Sequence, residues 1–212
     1  MRKLCVLLVF CACTVWAGPK WVSLFNGKNL DGWEIVGDGV WNVLSDGTLV
    51  GQRHLGKADY QSWLYSKNEF GDFEVEMDFW LRLDGNSGVS ILDTSRGRYA
   101  GGAEHDGSKL PSVVGYEIQI VFSSREGKFP TGSIYHYVEG KRGFRRENDW
   151  NRLNIEHRNG MIRVKLNGHL VSEMPRHADR AKSGPIGLQL HDVNSVLMVR
   201  NIRIKEYPTP KL

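Results

Sequence analysis

Cysteine is nearly missing from this 212-residue chain, and its three copies, Cys5, Cys11 and Cys13, all lie close to the start. They fall within "MRKLCVLLVFCACTVWAGP", where Arg2 and Lys3 precede an apolar run from Leu4 to about Cys13 and small residues, Ala17 and Gly18, follow. That layout is a secretory signal peptide. Residues 1–17 are therefore expected to be removed, leaving a domain over residues 18–212 with no cysteine. The lack excludes disulfide staples, a thiol nucleophile and a Cys-ligated metal. A domain of about 195 residues is large enough to bury one core without such help. Long hydrophobic runs are also missing: the leader falls short of the ~20 residues a spanning helix needs, so no membrane span is expected. Lipoprotein processing at Cys13 or Cys11 fits less well, because Phe10-Cys11-Ala12 is not the leucine-led sequence such processing uses. The expected location is secreted or periplasmic.

Charge of one sign is scarce as well. The formal net charge is +4, and Arg2 and Lys3 account for two of those charges. The densest basic stretch, "KRGFRR" at 141–146, is flanked by Glu139, Glu147 and Asp149 and reads as solvated loop surface. No nucleic-acid partner is expected. Helical spacing of apolar residues is the last absence; "RHADRAK" at 176–182 offers at most one short turn.

What is present is period two, punctuated by tight turns. From Phe73 to Leu83 the odd positions are apolar, while Glu74, Glu76, Asp78, Trp80 and Arg82 fill the even ones, the pattern of a half-buried strand. Asp46-Gly47, Asn159-Gly160 and Asn167-Gly168 supply the positive φ angles that hairpins demand. Many short strands with frequent turns predict an all-β fold, a two-sheet β-sandwich or jelly roll, in one domain. Two connections, 93–115 and 138–149, are long enough to suggest function.

Several residues are candidates for chemistry. Glu74, Glu76 and Asp78 share a strand face, but their spacing fails the Glu-x-Asp-x-x-Glu pattern of sandwich endo-glucanases, so they read as a solvated face. In "GYEIQI" (115–120), Tyr116, Ile118 and Ile120 share one face while Glu117 and Gln119 sit together on the other. That pair is either a wet outer face or the floor of a site. His191 shares alternation with Gln189 on a late strand and could carry a proton, ligate a metal or simply hydrogen-bond within the sheet. Tyr135 and His136 lie on opposite faces if extended, so at most one joins a site. Arg82 and Trp80, at even positions of the Phe73–Leu83 stretch, are candidates for contacting a ligand. Glu104, His105 and Asp106 are adjacent, which makes convergence on one ion difficult.

Six segments in order carry a family resemblance: "SLFNGKNLDGW" (23–33), "GNSGV" (85–89), "GYEIQI", "TGSIYHYV" (131–138), "NDWNRLNIEHRNGMIRVKLNGHLV" (148–171) and "SGPIGLQLHDVNSVLMVRNIRIKEY" (183–207). Over essentially the whole of 18–212 the chain resembles the 3-keto-disaccharide hydrolase family, sandwich domains of the concanavalin A-like lectin/glucanase type. The resemblance implies an exported carbohydrate-active enzyme. A sugar oxidised at C3 has an acidic C2 proton; a base removes it, the C1 aglycone leaves, and water adds to the unsaturated sugar. In that scheme Glu117 is the base and His191 a second catalytic group. Gln119, Gln189, Arg82, Trp80 and Tyr135 would bind the substrate. No cofactor is required, although a divalent cation polarising the 3-keto oxygen is compatible with the chemistry. The family continues Asn-Ser-Gly with an aromatic residue and an arginine, where this chain has Ser90 and Leu92, and Asp192 replaces a glycine common after the histidine. The alternative is a non-catalytic, lectin-like carbohydrate-binding module.

Overall fold

The structure is a computed structural model that describes residues 18–53 and 61–208; the expected leader, 1–17, lies outside the described residues. Thirteen strands occur among those residues. They are β1 (Val22–Ser23), β2 (Trp33–Val36), β3 (Gly39–Val43), β4 (Leu49–Arg53), β5 (Ser62–Ser66), β6 (Phe73–Leu81) and β7 (Asn86–Ile91), followed by β8 (Tyr116–Val121), β9 (Asn151–Arg158), β10 (Met161–Leu166), β11 (His169–Pro175), β12 (Ile186–Leu190) and β13 (Val196–Glu206). Helix is confined to short turns, of which α1 (Pro111–Val114) is the one α-helical piece among the described residues. No helix among them is long and apolar enough to cross a membrane.

The hairpins form where the turn chemistry puts them. Asn159 and Gly160 join β9 to β10, Asn167 and Gly168 join β10 to β11, and all four have positive φ. That backbone twist matches the twist of the strands it connects. Gly47, also at positive φ, closes the turn between β3 and β4.

Two antiparallel sheets result. The larger runs β11-β10-β9-β6-β13-β4-β3, with β1 pairing to the far half of β13; the smaller runs β2-β5-β12-β7-β8. Odd positions of β6, Phe73 to Leu81, face inward and are buried, as their periodicity predicts. The strand stops two residues short of Leu83, which is exposed beyond it. From the smaller sheet, Leu64, Val89, Ile91, Ile118, Ile120, Leu188 and Leu190 meet that face in one core. Each large aliphatic side chain buried there contributes roughly 1.5–3 kcal/mol. With the inner faces apolar, everything chemical is left to the two outer faces.

Candidate functional site on the smaller sheet

Register across the smaller sheet fixes the site. Glu117 on β8 lies opposite Ser90 on β7, Ser90 opposite Gly187 on β12, and Gly187 opposite Tyr65 on β5. One row along, Gln119 lies opposite Gly88, and Gln189 opposite Trp63. These residues share the outer face because their neighbours Ile118, Val89 and Leu188 are in the core.

Two glycines let large side chains lie flat on this face. A Cβ on Gly88 would come within 2.8 Å of Glu117 Oε1, and a Cβ on Gly187 within 2.4 Å of the Tyr65 ring. The Glu117 carboxyl thus leans across β7, and the Tyr65 ring across β12.

The face is not wet. Glu117 is 4% exposed, and Trp63, Tyr65, Ser90 and Gln189 are buried. Of the two alternatives the sequence leaves for Glu117, its burial excludes the wet outer face; over Trp63 and Tyr65 the cover is the long 93–115 connection. Asp93 accepts hydrogen bonds from Tyr65 OH (2.7 Å), Gly97 N (2.9 Å) and Ser95 N (2.9 Å), while Arg96 Nη1 donates to Ser66 O (2.8 Å). These bonds fold the connection back so that Gly97 and Ala100 cover the stacked Trp63 and Tyr65 rings.

The carboxyl therefore sits in an unusual setting. Burial pushes the Glu117 pKa from 4.5 up to about 8, and only the Gln189 amide opposes the shift. That opposition is weak: both polar atoms of the Gln189 side chain, like Ser90 Oγ, are buried without a hydrogen bond of normal geometry. No cation pairs with Glu117 among the described residues. Burial pushes Tyr65 and Tyr135 both up, with Asp93 adding to the shift at Tyr65, so both phenols stay protonated near neutral pH.

A polar cavity of about 230 Å³ opens at the Gln119 end of this face. Asn86, Gln119, Arg125, Lys128, Phe129 and Tyr135 line it. The segment 131–138 forms one wall. Ile134 bridges both Ile118 and Val138, closing a tight turn through Tyr135, His136 and Tyr137, and Tyr135 N donates to Glu117 O at 2.8 Å. The turn puts His136 at positive φ and sets its ring 4.1 Å from that of Tyr135. Strand alternation, which would have separated the two rings, does not apply inside a turn. Tyr135 lines the cavity, and the His136 ring lies tilted against it.

The remaining sequence candidates divide. Gln119 and Tyr135 reach the cavity, and Gln189 lies beside Glu117. Half-buried His191 follows β12 with its backbone N bonded to Asn86 O, but it does not line the cavity. Burial lowers its pKa, against the pull of Asp192, whose Oδ2 is 3.5 Å from Nδ1. Asp192, where the resemblance leads one to expect glycine, holds the cavity-lining Arg125 at 2.6 Å.

Trp80 and Arg82 are corrections. Even positions of β6 face outward from the larger sheet, so Trp80 is on the opposite side of the sandwich from Glu117. Arg82, exposed just beyond that strand, is not among the cavity-lining residues. The Glu74, Glu76 and Asp78 ladder lies on the same distant face, where Lys205, Arg203 and Arg152 pair with it. Glu104 and Asp106 are engaged by Arg98 and Lys109, and no cluster of three or more metal-ligating side chains occurs among the described residues. Leu92, where an arginine was expected, is buried in the core.

Arg125, Lys128 and Phe129 escaped the sequence reading. They lie in "SSREGKFP", an irregular connection with no period; the signal was its place between the Glu117 strand and the Tyr135 turn, which folds it against the edge of β8. Asn86 was within the quoted "GNSGV" but carried no assigned role.

Comparison with known proteins agrees with this architecture. A protein from Parabacteroides distasonis provisionally named a glycosyl hydrolase is 25% identical and superposes with a TM-score of 0.66, covering 88% of this chain and 99% of that one. A second protein from that organism, named in the same provisional way, is 20% identical with a TM-score of 0.69 over 89% and 94% of the two chains. The β-glucanase of Bacillus licheniformis shares the fold at 13% identity and a TM-score of 0.56, over 91% and 100%. No curated protein matches significantly. The 3-keto-alpha-glucoside-1,2-lyase-like domain matches residues 20–205, and the chain belongs to that family.

Proposed function

We propose that this protein is an exported enzyme that cleaves 3-keto-glycosides by elimination, with Glu117 as the base. The observation that carries the reading is a single carboxyl with no cationic partner, set on the polar face beside a polar cavity, in a chain of this family. Ionised Glu117 takes the C2 proton, and the C–H electron pair moves into the C3 carbonyl to give an enolate. The enolate collapses, the C1–O bond breaks, and the aglycone oxygen takes a proton as it leaves. Water then adds across C1=C2, hydroxyl to C1 and hydrogen to C2. A carboxylate with a pKa of about 8 is a better proton acceptor than an ordinary glutamate, the direction Brønsted behaviour rewards. Gln119, Arg125 and Lys128 at the cavity supply donors for the enolate oxygen.

A second reading, a lectin-like module that binds sugar without turnover, is favoured by one observation. Glu117 is covered and, at neutral pH, mostly protonated. One experiment separates the two: incubation with a 3-keto-glucoside and with its unoxidised parent in D₂O, beside an enzyme-free control. The elimination reading expects aglycone release from the keto-glucoside alone, with deuterium at C2 of the product. Binding without release would establish the lectin-like reading, and release with protium kept at C2 would rule out elimination.

A further inference from the structure

Two cavities larger than the one at Gln119 lie on the other side of the sandwich. The first, about 480 Å³, is formed by Asp78, Arg146, Trp150, Arg152, Asn167 and Arg200 with Gly168. The second, about 410 Å³, is lined by Trp21, Glu76, Arg203 and the same Arg152, which therefore joins the two. Both are within the size range of small-molecule sites.

Their charges differ in a way that asks for a ligand. In the first cavity three guanidinium groups meet one carboxylate. Asp78 is fully engaged: its oxygens accept from Arg152 Nε (2.8 Å), Arg152 Nη2 (3.2 Å) and Asn201 Nδ2 (2.7 Å). Arg146 and Arg200 form no ion pair among the described residues, and Arg200 Nε is buried without a partner. The Arg200 guanidinium stacks 4.0 Å over the Trp150 ring, which orients its fork. In the second cavity Arg203 pairs with Glu76 at 2.6 Å, so its charge is balanced; Trp21 stands there with Arg203 and Lys205 against its ring.

We propose that this face binds an acidic oligosaccharide, with one anionic sugar at Arg146, Arg200 and Trp150 and a neutral sugar in the adjoining cavity at Trp21. A planar guanidinium fork matches a carboxylate or sulfate ester bidentately, and each half-buried indole gives a sugar ring an apolar surface. Nucleic acid fits less well, because a charge on every residue would bring a phosphate against Glu76. The site lies on the opposite sheet from Glu117 and is independent of the activity proposed there.

The test is equilibrium binding to the purified protein, followed by tryptophan fluorescence or calorimetry. The probes are a tetrasaccharide alternating uronate and neutral sugars, its carboxyl-reduced neutral counterpart, that counterpart bearing a sulfate ester, and an oligodeoxythymidylate. An acidic sugar should bind at least about tenfold tighter than the neutral chain, and the tighter of the uronate and the sulfate ester names the anionic group. Arg146→Gln combined with Arg200→Gln should erase the gap, whereas Glu117→Gln should leave it intact. Arg146 is exposed and its side chain makes no ion pair, so Arg146→Gln alone keeps the fold and should narrow the gap. Equal binding of the neutral chain, an unchanged gap in the double variant, or tighter binding of the oligonucleotide would each overturn the proposal.

Discussion

The two outer faces of this sandwich carry carboxylates on strands of similar pattern, and the chain treats them in opposite ways. On the larger sheet, burial pushes Glu74 and Asp78 upward, but hydrogen bonds from Lys205, Asn154 and Tyr207 to Glu74, and from Arg152 and Asn201 to Asp78, outweigh it. Both groups end below their ordinary values. On the smaller sheet Glu117 has the burial without the cations, and its pKa rises to about 8. Strand position alone does not prepare a carboxylate for chemistry. What faces it across the neighbouring strands does: arginine and lysine on one sheet, serine, glycine and an amide on the other.

Removing the unpaired carboxyl should have the strongest consequence. Glu117→Gln nearly copies the shape of the protonated acid, so folding should persist while turnover of a 3-keto-glucoside falls by ~10²–10⁴, the usual share of a general base. Steady-state rates beside a circular-dichroism melt check both halves. Next in size is Gly88→Ala. Its Cβ would stand 2.8 Å from Glu117 Oε1 and displace the carboxyl, while the strand itself accepts alanine. A misplacement of that order costs about 10²-fold in rate, with the melt little changed. A rate equal to wild type would mean the carboxyl's position over β7 is unimportant.

The paired face should respond in stability and not in rate. Asp78→Asn leaves Arg152 only the more distant Glu76, 3.7 Å away, and should cost about 1 kcal/mol in denaturant unfolding, discounted because Arg152 is half exposed. Turnover should be unaffected. Because the folded Asp78 pKa is lowered, its contribution is present above 3.8 and lost as pH falls through the lowered value. Smallest of all is His191→Gln. A histidine that does not line the cavity should change turnover by less than about tenfold, and a fall as large as that of Glu117→Gln would restore it to a catalytic role.

Much of the sandwich was legible because strand alternation and hairpin chemistry are local. Phe73 to Leu81 buries its odd positions, and Asn159-Gly160 and Asn167-Gly168 turn as their side chains demand. The pairing of Glu117 with Gln119 on one face was legible for the same reason. What covers that face was not. Asp93 reaching Tyr65, and the turn at 134–138 tucking Tyr135 against β8, are contacts between segments far apart in sequence, and no periodicity announces them. Trp80 and Arg82 were misplaced because alternation says which face of a strand a residue occupies, not which sheet the strand joins.

Whether Glu117 is an unpaired, buried carboxyl can be read from its own titration. The side-chain carboxyl carbon of Glu117, assigned by its loss in Glu117→Gln, can be followed by ¹³C NMR from acid to mild alkali. Since the folded pKa is raised, the group's contribution to stability is fully present below 4.5 and is lost as pH rises through about 8. Wild type should therefore lose stability relative to Glu117→Gln over that window. The predicted midpoint is near 8. A midpoint at or below the ordinary 4.5 would show a cation or solvent at the carboxylate and rule out an unpaired, buried Glu117.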